Sequence, residues 1–149
     1  TISYISGNKT ETKKNLIEII YKKDKTYSPL ALYFLIDNNI ENDAKQINIL
    51  FDQVIENSNL EKEIKNLIIY KKALFNAEFE TENFLIKTLN PIINSESTWR
   101  SHALYLLGEY FYSKNEKKKS EEFFNRIMKL ENSNPNIRLE TQKRLNRDF

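Results

Sequence analysis

One histidine, His102, and no cysteine are present among the 149 residues, so any Ser-His-Asp arrangement or histidine metal site must be assembled around that ring. Glu109 follows seven residues later, on the same face of a helix two turns away. An acid and base built from these two would need a closed pocket where they converge; the expected place of His102 is a solvent-facing or groove-lining position in a first helical turn. Glycine occurs only at positions 7 and 108, so no glycine-rich loop can cradle a phosphate, and the common nucleotide and dinucleotide sites are excluded. The oxygen-rich run Asp37-Asn38-Asn39-Ile40-Glu41-Asn42-Asp43 lacks the loop glycine and the terminal bidentate Glu of a calcium loop, and reads as a turn with a helix cap. Lys117, Lys118 and Lys119 are followed at once by Glu121 and Glu122, so intrahelical pairing and solvation explain them better than nucleic acid does. Asn8-Lys9-Thr10 spells a glycosylation sequon, but is expected only to cap a first helix. No cofactor, metal or catalytic residue is assigned, and the chain is expected not to be an enzyme.

What remains with chemistry to offer is binding. His102, Tyr105, Glu109 and Tyr112 recur at helical spacing, and two tyrosines around a carboxylate suit a peptide or helix ligand, because Tyr buries a large area and keeps a hydroxyl for hydrogen bonding. Trp99 and Arg100 stand just before them. Trp99 is expected to plug the junction of the fifth and sixth helices, and Arg100 to bond carbonyls at the end of the fifth.

Positioning these side chains is the task of an all-α chain. Long stretches of Leu, Ile, Lys, Glu, Ala and Asn, with only two Gly and three Pro, leave little turn punctuation for hairpins of strands. Apolar periodicity gives about eight helices, near 10–22, 28–39, 42–57, 60–78, 81–93, 97–113, 116–130 and 135–147. Ser28 with Pro29 reads as the start of the second helix and Asn38 with Asn39 as its stop. Asn42 or Asp43 caps the third. The fourth is the most apolar and is expected to be central, the fifth has Pro91 near its end and a core stripe of Phe84, Leu85, Thr88 and Leu89, and the eighth has the sparse stripe Ile137, Leu139 and Leu145 of a terminal capping helix.

Leu104, Leu107, Gly108, Phe111, Ser120 and Phe124 occupy the bulky, Leu, small and aromatic positions of a tetratricopeptide repeat, and this segment resembles one. Gly108 would let the sixth and seventh helices approach closely, and Ser120 opposite has the same reason to be small. The starts of the second, fourth and sixth helices are separated by about 32 and 37 residues, around the ~34-residue period of that repeat. The expected architecture is a right-handed α-solenoid of antiparallel hairpins near 28–57, 60–93 and 97–130, flanked by single helices near 10–22 and 135–147, in one domain over 1–149. In such a hairpin the first helix lines the concave surface, which places His102, Tyr105, Glu109 and Tyr112 there.

Composition agrees with a folded chain: 40% hydrophobic and 12% aromatic residues are enough for a core, and a net charge of +2 does not advertise a polyanion partner. No apolar run approaches the roughly 20 residues of a membrane span, and no signal peptide is visible. The chain begins at Thr1 without Met, as a processed fragment or a piece of a longer protein would, and its heavy use of Ile, Asn and Lys suits an AT-rich bacterial genome.

The segment Leu89-Asn90-Pro91-Ile92-Ile93, then Ser97-Thr98-Trp99-Arg100 and Ala103-Leu104-Tyr105-Leu106-Leu107, resembles the tetratricopeptide-like domain of inner-membrane-anchored periplasmic proteins of bacteria. Among these is the ancillary subunit of the Sec translocon that works with a periplasmic prolyl-isomerase-like chaperone. Residues 27–31 and 67–77 fit the same order of elements, and the resemblance spans about 10–147. It implies a protein-binding module on the periplasmic side of the membrane, attached through an anchor outside this sequence, with translocon or chaperone components as partners. The alternative is a cytoplasmic adaptor of the same fold.

Overall fold

The computed structural model describes residues 8–149; Gly7 and the start of the chain at Thr1 lie outside them. Among the described residues there are eight helices and no strand, with several sequential helices packed against each other as hairpins, so the chain is all-α. None of these helices is long and apolar enough to cross a membrane. The chain forms two compact units, Thr1–Ile68 and Ile69–Phe149.

The first unit holds α1 (Lys9–Tyr21), α2 (Tyr27–Asp37), α3 (Ala44–Asn57) and the start of α4 (Lys62–Asn76). Its core is Ile20, Leu32, Leu35, Ile47, Leu50, Phe51, Val54 and Ile68. α1 and α2 are the closest pair and α3 lies against both, so α1, expected as an unpaired lead helix, is a hairpin partner. The turns are made without glycine. Lys23, Asn39 and Asn59 take left-handed backbone angles after α1, α2 and α3, and two of the three are Asn, whose short amide tolerates that region.

Two caps differ from expectation. Asn8 stands at the start of α1 but makes no side-chain capping bond. Ser28 lies inside α2: its buried Oγ donates to Ile19 O at 2.9 Å and accepts from Asp24 N at 2.9 Å, tying the end of α1 to the start of α2. The first turn is held by Asp24, whose Oδ1 accepts from the amides of Thr26 and Tyr27 at 2.8 and 2.7 Å, and these bonds lower its pKa. Between α2 and α3 the oxygen-rich run is a turn with a cap, as expected. Asp43 accepts from Lys45 N at 3.0 Å, while buried Glu41 pairs with Lys13 at 3.0 Å and accepts from Asn42 N.

The second unit holds the end of α4, α5 (Glu82–Ile93), α6 (Arg100–Ser113), α7 (Lys117–Lys129) and α8 (Pro135–Asp148). Its centre is α6 and not α4. Eight α6 residues, including Ala103, Leu104, Leu107 and Phe111, are buried, whereas the α4 residues of this unit bury Ile69, Ala73 and Asn76 and leave Leu74 exposed. The α5 stripe shifts towards the helix end: Leu85, Leu89, Ile92 and Ile93 are buried, and Pro91 sits in the last turn, where the helix stops two residues later.

α6 and α7 pack closest of all helix pairs, with Asn115 in the left-handed region of the turn between them. At their crossing Ser120 Oγ donates to Gly108 O at 2.6 Å. A Cβ on Gly108 would stand 2.6–2.9 Å from three ring carbons of buried Phe124. Both small residues are therefore required by the approach of the helices, as their spacing predicted.

α8 is the capping helix, entered through Asn134, whose side chain accepts from Asn136 N and Ile137 N, with Pro135 at the first helical position. Ser101 at the start of α6 accepts from Asn134 N, and Arg138 donates to Met128 O and Leu130 O at the end of α7. The apolar stripe expected to dock α8 contributes little, because Leu139 is 56% exposed and Thr141 is the helix's one buried residue.

Candidate functional site

The face of α6 chosen from spacing runs His102, Tyr105, Glu109, Tyr112, and its two halves meet different surroundings. At the N-terminal end His102 belongs to an aromatic cluster with Trp99, just before the helix, and Tyr70 of α4. The Trp99 and His102 ring centres are 4.8 Å apart, Tyr70 stacks on Trp99 at 6.1 Å, and Tyr70 meets His102 edge-on at 5.7 Å. Trp99 thus packs on α4, where it had been expected to plug the junction of the fifth and sixth helices. Arg100, expected to bond carbonyls at the end of α5, has a buried Nε without a hydrogen-bond partner.

Electrostatics follow from this enclosure. Burial disfavours the imidazolium and lowers the His102 pKa, and His102 Nδ1 is buried without a partner. Burial raises the Tyr70 pKa, and the charge of Glu109 adds to that, so both hydroxyl and ring stay neutral at physiological pH.

The C-terminal half is covered by the last two turns of α8 and by Phe149, which follows it. The Arg144 guanidinium of α8 lies 5.0 Å over the Tyr112 ring and 5.2 Å over Phe124, donates to Glu109 Oε2 at 3.2 Å, and reaches Asp148 through Nε at 2.6 Å. Phe149 packs edge-on against Tyr112 and Phe124, and Tyr105 leans on Phe124 at 5.3 Å. Tyr105 and Tyr112 are thus engaged by α7 and α8 and do not lie open, while Glu109 keeps 49% of its side chain exposed beside Arg144. Burial opposes the Arg144 charge, but its bonds to Asp148 and Tyr105 outweigh that and raise its pKa. Bonds from Arg147 and then Arg144 hold the Asp148 carboxyl far below the ordinary carboxylate range.

His102 and Glu109 are not brought together. One ring is enclosed by aromatics and the other group is paired to Arg144, roughly 10 Å further along the helix axis. Among the described residues no three His, Asp or Glu side chains are placed to hold a metal. Of the triple lysine, Lys119 pairs locally with Glu116 and also reaches Glu82 of α5, and Lys117 lies over Tyr112; all three lysines are exposed, and among the described residues neither Lys117 nor Lys119 pairs with Glu121 or Glu122.

Reasoning from spacing missed Tyr70, Arg144, Asp148 and Phe149. Tyr70 stood in the apolar run of the fourth helix, and Arg144 is an ordinary charged residue of an exposed-looking helix. Neither carries a local signal, because their partners are some 30 residues away in sequence.

Comparison with known protein families, with curated proteins and with solved structures finds no match for this chain.

Proposed function

We propose that this chain is a non-enzymatic protein-interaction module that holds a peptide or a partner helix against the N-terminal half of α6. The observation that carries the reading is the aromatic cluster of Tyr70, Trp99 and His102, followed on the same helix face by the half-exposed carboxylate of Glu109. Flat, rigid rings give large contact area at small entropic cost, and a neighbouring carboxylate fixes the register of a donor or a cation on the partner. A preformed helical surface also binds without ordering a loop first. The resemblance of residues 89–107 supports a periplasmic, membrane-anchored setting, in which the partner is a component of the Sec translocon or an envelope chaperone.

The test is a pull-down from detergent-solubilised membranes, comparing the parent chain with a Tyr70→Ser, His102→Ala, Glu109→Gln variant whose helicity is checked by circular dichroism. Tyr105 and Tyr112 are left intact because they hold α7 and α8. Recovery of translocon or chaperone components by the parent alone is the expected result. Equal recovery by both forms refutes the site, and recovery of neither class of partner refutes the assignment.

A further inference from the structure

The first unit carries a second surface that the α6 site does not use. A groove of about 650 Å3 runs between α1 and α2, walled by Leu16, Ile19 and Lys22 on one side and Tyr27, Leu30 and Phe34 on the other. The α2 row follows the i, i+3, i+7 rhythm of one helix face and the α1 row the i, i+3, i+6 rhythm of another. Tyr27 is 64% exposed and Leu30 54%, so the apolar wall of α2 is presented to solvent and does not close over the core. The volume lies within the roughly 300–1,000 Å3 of binding clefts, and the two rows run side by side for about two helical turns.

Charge distinguishes the ends of the groove. Lys22 lines one end of the groove and Lys23 follows it in the turn after α1, both exposed and without an ion pair among the described residues. Asp24, the carboxylate on the wall, keeps its charge while its Oδ1 accepts from the amides of Thr26 and Tyr27, so one carboxylate stands against the two lysines and this end of the groove stays net positive.

We infer that this groove receives an amphipathic helix of a partner protein, with its apolar stripe between Leu16, Ile19, Leu30 and Phe34 and acidic side chains at its C-terminal end beside Lys22 and Lys23. A helix laid along the groove meets both rows at their own period. The lysines favour its carboxylates and the negative end of its dipole together. Asn15, exposed on the α1 wall, offers an amide that a peptide can bond and an acyl chain cannot. A second copy of the same groove would bring concave against concave and leave both unfilled.

The experiment selects helical peptides of about 16 residues, between four and five turns, from a displayed library against the full chain, and measures the selected peptides by fluorescence anisotropy. The expected consensus is an apolar i, i+3, i+4, i+7 stripe with Asp or Glu towards the C-terminal end. Leu30→Lys should weaken binding roughly tenfold or more, because it puts a charge against the stripe. Lys22→Glu with Lys23→Glu should reverse the selected charge to Lys and Arg. All three positions are exposed, and circular dichroism verifies that the variants fold. The proposal is overturned if no selected peptide is weakened by Leu30→Lys, or if the charge swap leaves the consensus unchanged. It is also overturned if dodecanoate displaces the peptides at equal concentration, or if sedimentation shows self-association that Leu30→Lys abolishes.

Discussion

Replacing Gly108 by Ala adds one methyl group at the tightest point of the second unit, and the structure sets what that should cost. The new carbon would lie 2.6, 2.8 and 2.9 Å from Cε1, Cδ1 and Cζ of Phe124. Unstrained carbon contacts need roughly 3.5–4.0 Å, so the ring or the helix must yield by about 1 Å. Phe124 is fully buried beneath Tyr105, Phe149 and Arg144 and has no open direction. Overpacking of this kind costs about 1–3 kcal/mol. Parting the helices also stretches the Ser120 to Gly108 hydrogen bond, for about 1 kcal/mol more. Against this, Ala is better than Gly inside a helix by about 1 kcal/mol.

The balance is a loss of about 2 kcal/mol, which lowers Tm by roughly 4–8 °C for a chain of this size. Urea unfolding followed by the fluorescence of Trp99, the one tryptophan and a member of the same unit, measures it. Phe124→Leu alone should destabilise, but combined with Gly108→Ala it should cost less than the sum, with a coupling of about 1 kcal/mol, because the smaller side chain vacates the space that the methyl needs. If Gly108→Ala proves neutral or stabilising, or if the two substitutions simply add, the steric reasoning is wrong.

Two further predictions concern how helices are tied together. Ser28→Ala should cost about 1–2 kcal/mol in thermal unfolding, since it removes the bond to Ile19 O and leaves Asp24 N without its acceptor. Thr26→Ala, at the formal cap but without a side-chain bond, should stay within about 0.5 kcal/mol. At the other end, Asp148 has a depressed pKa, so its contribution is fully present above the ordinary carboxylate value of about 3.9 and is lost as pH falls through the lower folded value. Parent and Asp148→Asn melts should therefore differ near neutrality and converge in strong acid; a gap that does not change with pH would count against the Arg144 and Arg147 pairing.

The repeat around α6 and α7 was legible because its signals are local. Gly108, Ser120 and Phe124 are separated by one short turn, so spacing alone implied a close helix crossing. The existence of the helices was legible for the same reason, and so was the stop of α2 at Asn39, which takes the left-handed region in a chain nearly without glycine. The site was only half visible. His102, Tyr105, Glu109 and Tyr112 do share a face, yet spacing along one helix says nothing about what lies above it.

Sequence by itself determined the class of fold, the helix crossing and the absence of a phosphate loop, because each follows from residue types a few positions apart. Tertiary structure alone decided that α8 covers Tyr105 and Tyr112, that Tyr70 completes the aromatic cluster, and that α1 and α2 leave an open apolar groove. Those outcomes depend on which surfaces meet across tens of residues. There cation–π contacts, ion pairs and buried area compete on nearly equal terms, and the local pattern of the chain cannot rank them.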